Sequence, residues 1–109
     1  MKITANKYVA VTYDVAAAER FHLPVARAGE AFARAAQACP DIDLYGPDRH
    51  HASPAGSYLV ALSVLRGVFG RDVLGLPARI DFAGRPVLDL PKAQAAALQA
   101  VAQSLPAAL

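Results

Sequence analysis

His22 to Arg27 is the segment that most constrains the fold of this chain, because it is short, apolar on both sides and bounded by Pro24 and Gly29. Those features predict a β-strand buried on both faces of a parallel sheet. Such a strand needs neighbours on both edges, and the sequence offers few. Unpaired edges between helices would leave buried N–H and C=O groups without partners, at about 1–3 kcal/mol each. The fold is therefore expected to be completed from outside these residues. Either a missing N-terminal portion supplies the sheet, or copies of the chain pair their edges as a homo-oligomer, and if neither occurs a mostly helical rearrangement is the remaining option.

The remaining segments read mainly as helices. Residues Thr4 to Phe21 place Tyr8, Val11, Val15 and Ala18 at helical spacing with no Gly or Pro inside. A second helix is expected from Gly29 to Ala38, stopping at Cys39-Pro40, because proline disfavours a helical residue before it. Ser53-Pro54 has the form of an N-cap followed by proline in the first turn, opening a helix to Phe69 that Gly70 ends. Tyr58, Leu62, Leu65 and Phe69 are its expected buried stripe. Arg79 to Leu88 alternates around Ala83-Gly84 and reads as a small hairpin or an extended arm. A last helix is expected from Pro91 to Ser104, with Ala95, Leu98, Val101 and Ala102 facing inward and Pro106 beyond it.

The fold class is thus α/β, mostly helical, in one small and incomplete domain of 109 residues. At 55% hydrophobic content the chain needs burial, but much of that content is alanine and the core should be thin. A formal net charge of +2 with scattered basic residues does not indicate nucleic acid. No apolar run is long enough for a membrane span, and the first residues lack the pattern of a signal peptide. Cys39 is the only cysteine, which leaves no internal disulfide and no cysteine metal cluster; beside Pro40 it reads as a small buried filler.

The chemistry concentrates in Asp48-Arg49-His50-His51, immediately ahead of the Ser53 helix. An Asp three positions before a His in a tight loop can accept the Nδ1 proton and leave Nε2 as a general base. Each residue also has a plainer reading. Asp48 could be a turn former beside Gly46-Pro47, His51 a polar loop residue, and His50 a neighbour with no direct role. Ser53 reads as a cap rather than a nucleophile, Ser57 and Ser63 lie on the same expected helix, and His22 reads as a structural histidine. Asp48, His50 and His51 could also be zinc ligands, but adjacent histidines rarely point at one ion and no third partner is evident. No phosphate loop or dinucleotide fingerprint is present, and no cofactor or metal is expected.

The run Asp48-x-x-His51-x-Ser53-x-x-Gly56-Ser57-Tyr58-Leu59 resembles the last conserved block of SGNH (GDSL-type) hydrolases, the serine esterases and lipases. It is similar to the subgroup in which His is followed by Pro-Ser, although Ala52 stands here in place of that proline. The segment Leu23-Pro24-Val25-Ala26-Arg27-Ala28-Gly29-Glu30-Ala31-Phe32 is similar to another block of the same subgroup. Leu44-Tyr45, Gly75-Leu76-Pro77 and Gln94-Ala95-x-x-Leu98-Gln99 also match. The resemblance implies the C-terminal third of a three-layer α/β/α hydrolase, with residues 1–77 in the family core and 78–109 as an arm and helix. It implies that His51 and Asp48 are catalytic, acting on an ester substrate in the complete enzyme. The family's Gly-Asp-Ser nucleophile and its Gly and Gly-x-Asn-Asp oxyanion segments are not found here, so the chain alone should be nearly inactive. Two alternatives remain open. The chain could be a non-catalytic module that oligomerises, or a half-site completed by a Ser-bearing partner.

Overall fold

The structure, a computed structural model, describes residues 24–107 together with residues 16 and 20. The helix expected over 4–21 and the first two residues of the expected strand lie outside the described residues, except that Ala16 and Arg20 are helical. Among the described residues the chain forms three further helices and a two-stranded antiparallel sheet, a small α/β domain.

Helix α1, Ala28–Ala38, is built from alanine-rich sequence of high helix propensity. Glu30 in its first turn is ion-paired to Arg27 at 3.6 Å and to Arg34 at 3.1 Å, which supports the helix at three- and four-residue spacing. Buried Ala31 and Ala35 share one face, and such small side chains allow neighbouring backbones to approach closely. Cys39 caps the end, its N–H donating to the Ala35 carbonyl at 2.7 Å, and Pro40 prevents continuation.

Helix α2, Pro54–Gly67, is the central element and packs against α1 and against the last helix, α3 at Lys92–Gln103. Ser53 caps it, with Oγ accepting from the Gly56 N–H at 3.1 Å and proline in the first turn. Its buried surface is wider than the expected stripe. Ala55, Gly56, Tyr58, Leu59, Leu62, Ser63 and Gly67 are all buried, because α1 and α3 cover two sides. Leu65 is half-buried against the core, whereas Phe69 lies beyond the helix and is 71% exposed. The departure at Phe69 follows from the helix ending two residues earlier than expected, ahead of Gly70 at φ 64°.

The doubly buried parallel strand is not found in residues 24–27. These residues pair with no strand among the described residues, and Val25 to Arg27 are only half-buried. They instead cross α2 at Gly67, where a Cβ would stand 2.1 Å from the Val25 carbonyl oxygen. The backbone thus packs on a helix through a glycine rather than in a sheet.

Strands β1, Arg79–Phe82, and β2, Arg85–Asp89, form a hairpin, one of the two forms that the alternation left open. Ala83 and Gly84 turn it with φ of 53° and 77°, the positive pair that a tight two-residue turn demands. Helix α3, Lys92–Gln103, buries Ala95, Leu98, Val101 and Ala102 as its periodicity predicted. It also buries Gln99, whose amide ties the segment after α2 to the core. Its Nε2 donates to the Tyr58 hydroxyl at 2.8 Å and the Leu76 carbonyl at 2.7 Å, while Oε1 accepts from the Gly75 N–H at 2.9 Å. Tyr58 in turn donates to the Pro77 carbonyl at 2.9 Å. A buried polar side chain with all these partners holds one loop path and excludes alternatives.

Candidate active site

The loop between α1 and α2 is closed by backbone bonds at its base. Tyr45 and Ala52 form an antiparallel bridge, the Gly46 N–H donates to the His51 carbonyl at 2.7 Å, and the Ser53 N–H donates to Leu44 at 2.9 Å. Ser53 Oγ adds a bond to the Asp43 carbonyl at 2.7 Å, so the residue that caps α2 also anchors the loop. Gly56 sets how closely the two meet. A Cβ there would lie 2.1 Å from the Leu44 carbonyl oxygen.

At the loop's tip Asp48 organises the turn. Its Oδ1 accepts from the backbone N–H groups of His50 and His51, each at 3.0 Å, and its Oδ2 lies 2.5 Å from His51 Nδ1. Arg49 between them adopts φ 60°, in the left-handed region that bends the chain back so that one carboxylate reaches all three groups. The His51 ring beside it, followed by the two amides, pulls the Asp48 carboxyl down from 3.8 to about 2. Asp48 is therefore an anion throughout the neutral range. With Oδ2 at Nδ1, the proton of a neutral imidazole is favoured on Nδ1, leaving the Nε2 lone pair outward. The His51 side chain is 89% exposed.

A clamp that the sequence reading passed over holds this tip. Asp43 accepts from the Tyr45 N–H at 3.1 Å and from Arg49 Nη1 at 2.8 Å. The Arg49 guanidinium sits 5.8 Å from the Tyr45 ring centre, and that ring meets Phe32 edge-on at 5.7 Å. The sequence signal available was Asp43-x-Tyr45, an Asx-turn pattern, together with the need for positive φ between Asp48 and the His pair. Beside the clamp lies an open groove of ≈ 530 Å³ whose walls include Phe32, Ala36, Ile42 and Tyr45.

The other candidates separate cleanly. His50 brings only its backbone N–H to Asp48, and its side chain takes no part in the pair. Ser53 Oγ is committed to the cap and to Asp43, and Ser63 is buried and bonded to the Leu59 carbonyl at 2.8 Å. Ser57 lies exposed on α2. Among the described residues no serine hydroxyl is hydrogen-bonded to His51, and no group of three or more His, Cys, Asp or Glu side chains is placed to hold a metal. His22 lies outside the described residues. No helix among the described residues is long and apolar enough to cross a membrane. No family model matches the chain, and neither a curated protein nor a solved structure matches it.

Proposed function

We propose that this chain is the C-terminal part of an SGNH-type ester hydrolase, with Asp48 and His51 as the orienting and general-base members of a Ser-His-Asp triad. The observation that carries this reading is the contact of Asp48 Oδ2 with His51 Nδ1 on a ring whose other nitrogen is open to solvent. In the complete enzyme Nε2 would take the proton of a serine hydroxyl as that oxygen attacks the ester carbonyl. The same nitrogen would then protonate the leaving alkoxide, and Asp48 would stabilise the imidazolium between the two steps. The serine, the oxyanion donors and the central sheet of the three-layer α/β/α fold would come from residues N-terminal to these or from a partner chain. Further support is that the separate segments of resemblance meet in space. Gly56 of the block after His51 touches Leu44, and Tyr58 and Gln99 both grip the Gly75-Leu76-Pro77 segment.

The test has two readouts. Imidazole ¹⁵N shifts at neutral pH should show His51 with its proton on Nδ1 in the wild type, and a return to the Nε2–H form in Asp48→Asn. The chain alone should hydrolyse p-nitrophenyl acetate no faster than a histidine-containing peptide at equal concentration. Addition of a Ser-bearing N-terminal fragment of an SGNH esterase should raise turnover in a manner lost in His51→Ala. Faster hydrolysis by the chain alone that depends on His51 would overturn the half-site reading, and an Nε2–H tautomer in the wild type would overturn the assigned role of Asp48.

A further inference from the structure

The hairpin of β1 and β2 stands away from the core with large apolar side chains in water. Ile80 is 44%, Val87 61% and Phe82 74% exposed. Leu88 is its one half-buried member, packed against the core. A two-stranded sheet on its own is marginally stable, and this one also has free edges, since no other strand pairs with it among the described residues.

The two edges are not equivalent. In an antiparallel ladder, pairs that exchange hydrogen bonds alternate with pairs whose N–H and C=O groups point outward. Phe82 and Arg85 flank the two-residue turn, which makes them a bonded pair, and the Leu90 N–H donates to the Ala78 carbonyl at 2.9 Å at the other end. Ile80 opposite Leu88 is then inward-bonded, with the bulge absorbed at Val87. Arg79 and Asp81 therefore direct their backbone groups to the free edge of β1. On β2 the residue opposite Asp81 is Pro86, which has no N–H to offer, so that edge is blunted.

The side chains select how the β1 edge can be met. Arg79 and Asp81 project from one face, Ile80 and Phe82 from the other. A second β1 running antiparallel could be centred on residue 79, 80 or 81 while still joining outward groups to outward groups. Centring on 79 sets arginine against arginine, and centring on 81 sets aspartate against aspartate. Centring on Ile80 sets each arginine against an aspartate.

We propose that the β1 edge is the interface between two copies of this chain, paired antiparallel about Ile80 with Arg79 opposite the partner's Asp81. The result is a continuous four-stranded sheet in the order β2, β1, β1, β2. One face carries Arg79 and Asp81 of both copies, so that the guanidinium, which within its own chain donates to Asp81 at 3.1 Å and lies 3.7 Å from Asp89, is shared with the partner's Asp81. The other brings Ile80 against the partner's Ile80 and Phe82 beside the partner's Ala78, so that part of the exposed apolar surface of Ile80 and Phe82 is covered by lateral contact. The inference is independent of the esterase reading, because it uses no residue of the Asp48–His51 loop.

The test is sedimentation equilibrium of the full chain and of charge-reversed variants. The wild type should show a concentration-dependent species of twice the 11.4 kDa chain mass. Asp81→Arg places arginine at both positions, Arg79→Asp places aspartate at both, and each variant alone should dimerise about tenfold more weakly or not at all. Mixed one to one they should regain the dimer, because every cross-strand pair is then opposite in charge. Ile80→Lys, which puts two like charges on the axis, should be monomeric. These positions are on the surface, and unchanged circular dichroism will show that the variants fold. A wild type that stays monomeric at millimolar concentration, a dimer indifferent to Ile80→Lys, or reversed variants that fail to associate on mixing would overturn the proposal.

Discussion

Gly56→Ala sets two physical effects against each other and lets the structure decide the sign. Glycine is about 1 kcal/mol poorer than alanine inside a helix, so propensity alone predicts that the variant is more stable. The close approach predicts the reverse. The added methyl would stand 2.1 Å from the Leu44 carbonyl oxygen and 3.1 Å from the Ala52 Cβ, at least about 1 Å inside van der Waals contact with a backbone atom. That carbonyl cannot rotate away freely, because it accepts from the Ser53 N–H at 2.9 Å. Relief requires α2 and the loop to separate, at an overpacking cost toward the upper end of about 1–3 kcal/mol together with a weakened cap. The net expectation is a loss of about 2 kcal/mol, or a fall in Tm of roughly 8–16 °C for a domain of this size. Urea and thermal denaturation followed at 222 nm measure it, with Ser57→Ala on the exposed side of the same helix as the propensity control. The His50 and His51 amide resonances should move in Gly56→Ala and stay in Ser57→Ala. A Gly56→Ala protein as stable as wild type would refute the reasoning, since the helix and loop would then not be in the described contact.

Three further predictions concern the residues around the site. Gln99→Leu leaves the Gly75 N–H and the Leu76 carbonyl without their side-chain partner, and should cost about 2 kcal/mol in urea denaturation; a loss under about 0.5 kcal/mol would show that water replaces the amide. Arg49→Gly relieves a positive φ worth about 1 kcal/mol while losing an exposed ion pair to Asp43 and an exposed contact with the Tyr45 ring, so stability should hold or rise, and a clear drop would show that the clamp matters more than the strain. The Asp48 carboxyl titrates at about 2 rather than 3.8, so its hold on the loop is complete above about 3.8 and lost as pH falls through about 2. The His50 and His51 amide shifts should follow that midpoint and be flat there in Asp48→Asn; a midpoint near the ordinary aspartate value would contradict the assigned bonds.

The helices were legible because their signals are local. Ser53-Pro54 opens α2, Pro40 closes α1, and the spacing of Ala95, Leu98 and Val101 fixes the inner face of α3. Each depends on backbone stereochemistry and on a repeat of three to four residues that needs no distant partner. The Asp48–His51 pair was legible for the same reason, since three residues of loop bring the carboxylate to the ring. The strand expected over 22–27 shows the limit. An apolar run between Pro24 and Gly29 has the composition of a buried strand, but composition cannot say whether a neighbouring strand is there to pair with it. Phe69 likewise fits the helical period of α2 and yet lies outside, because the period does not tell that α2 itself ends at Gly67.

By itself, then, the sequence determined where the chain turns, caps and alternates, and which carboxylate meets which imidazole. Only the tertiary structure decided that Gly56 and Gly67 are contact points for the backbone at Leu44 and Val25, and that Gln99 lies buried on three polar partners. It also decided that Arg49 is clamped by Asp43 and Tyr45, and that Ile80 and Phe82 face water. The division has one physical cause. Dihedral preferences and short hydrogen-bonded rings act between near neighbours in the chain, whereas burial, close approach and exposure are set by segments tens of residues away.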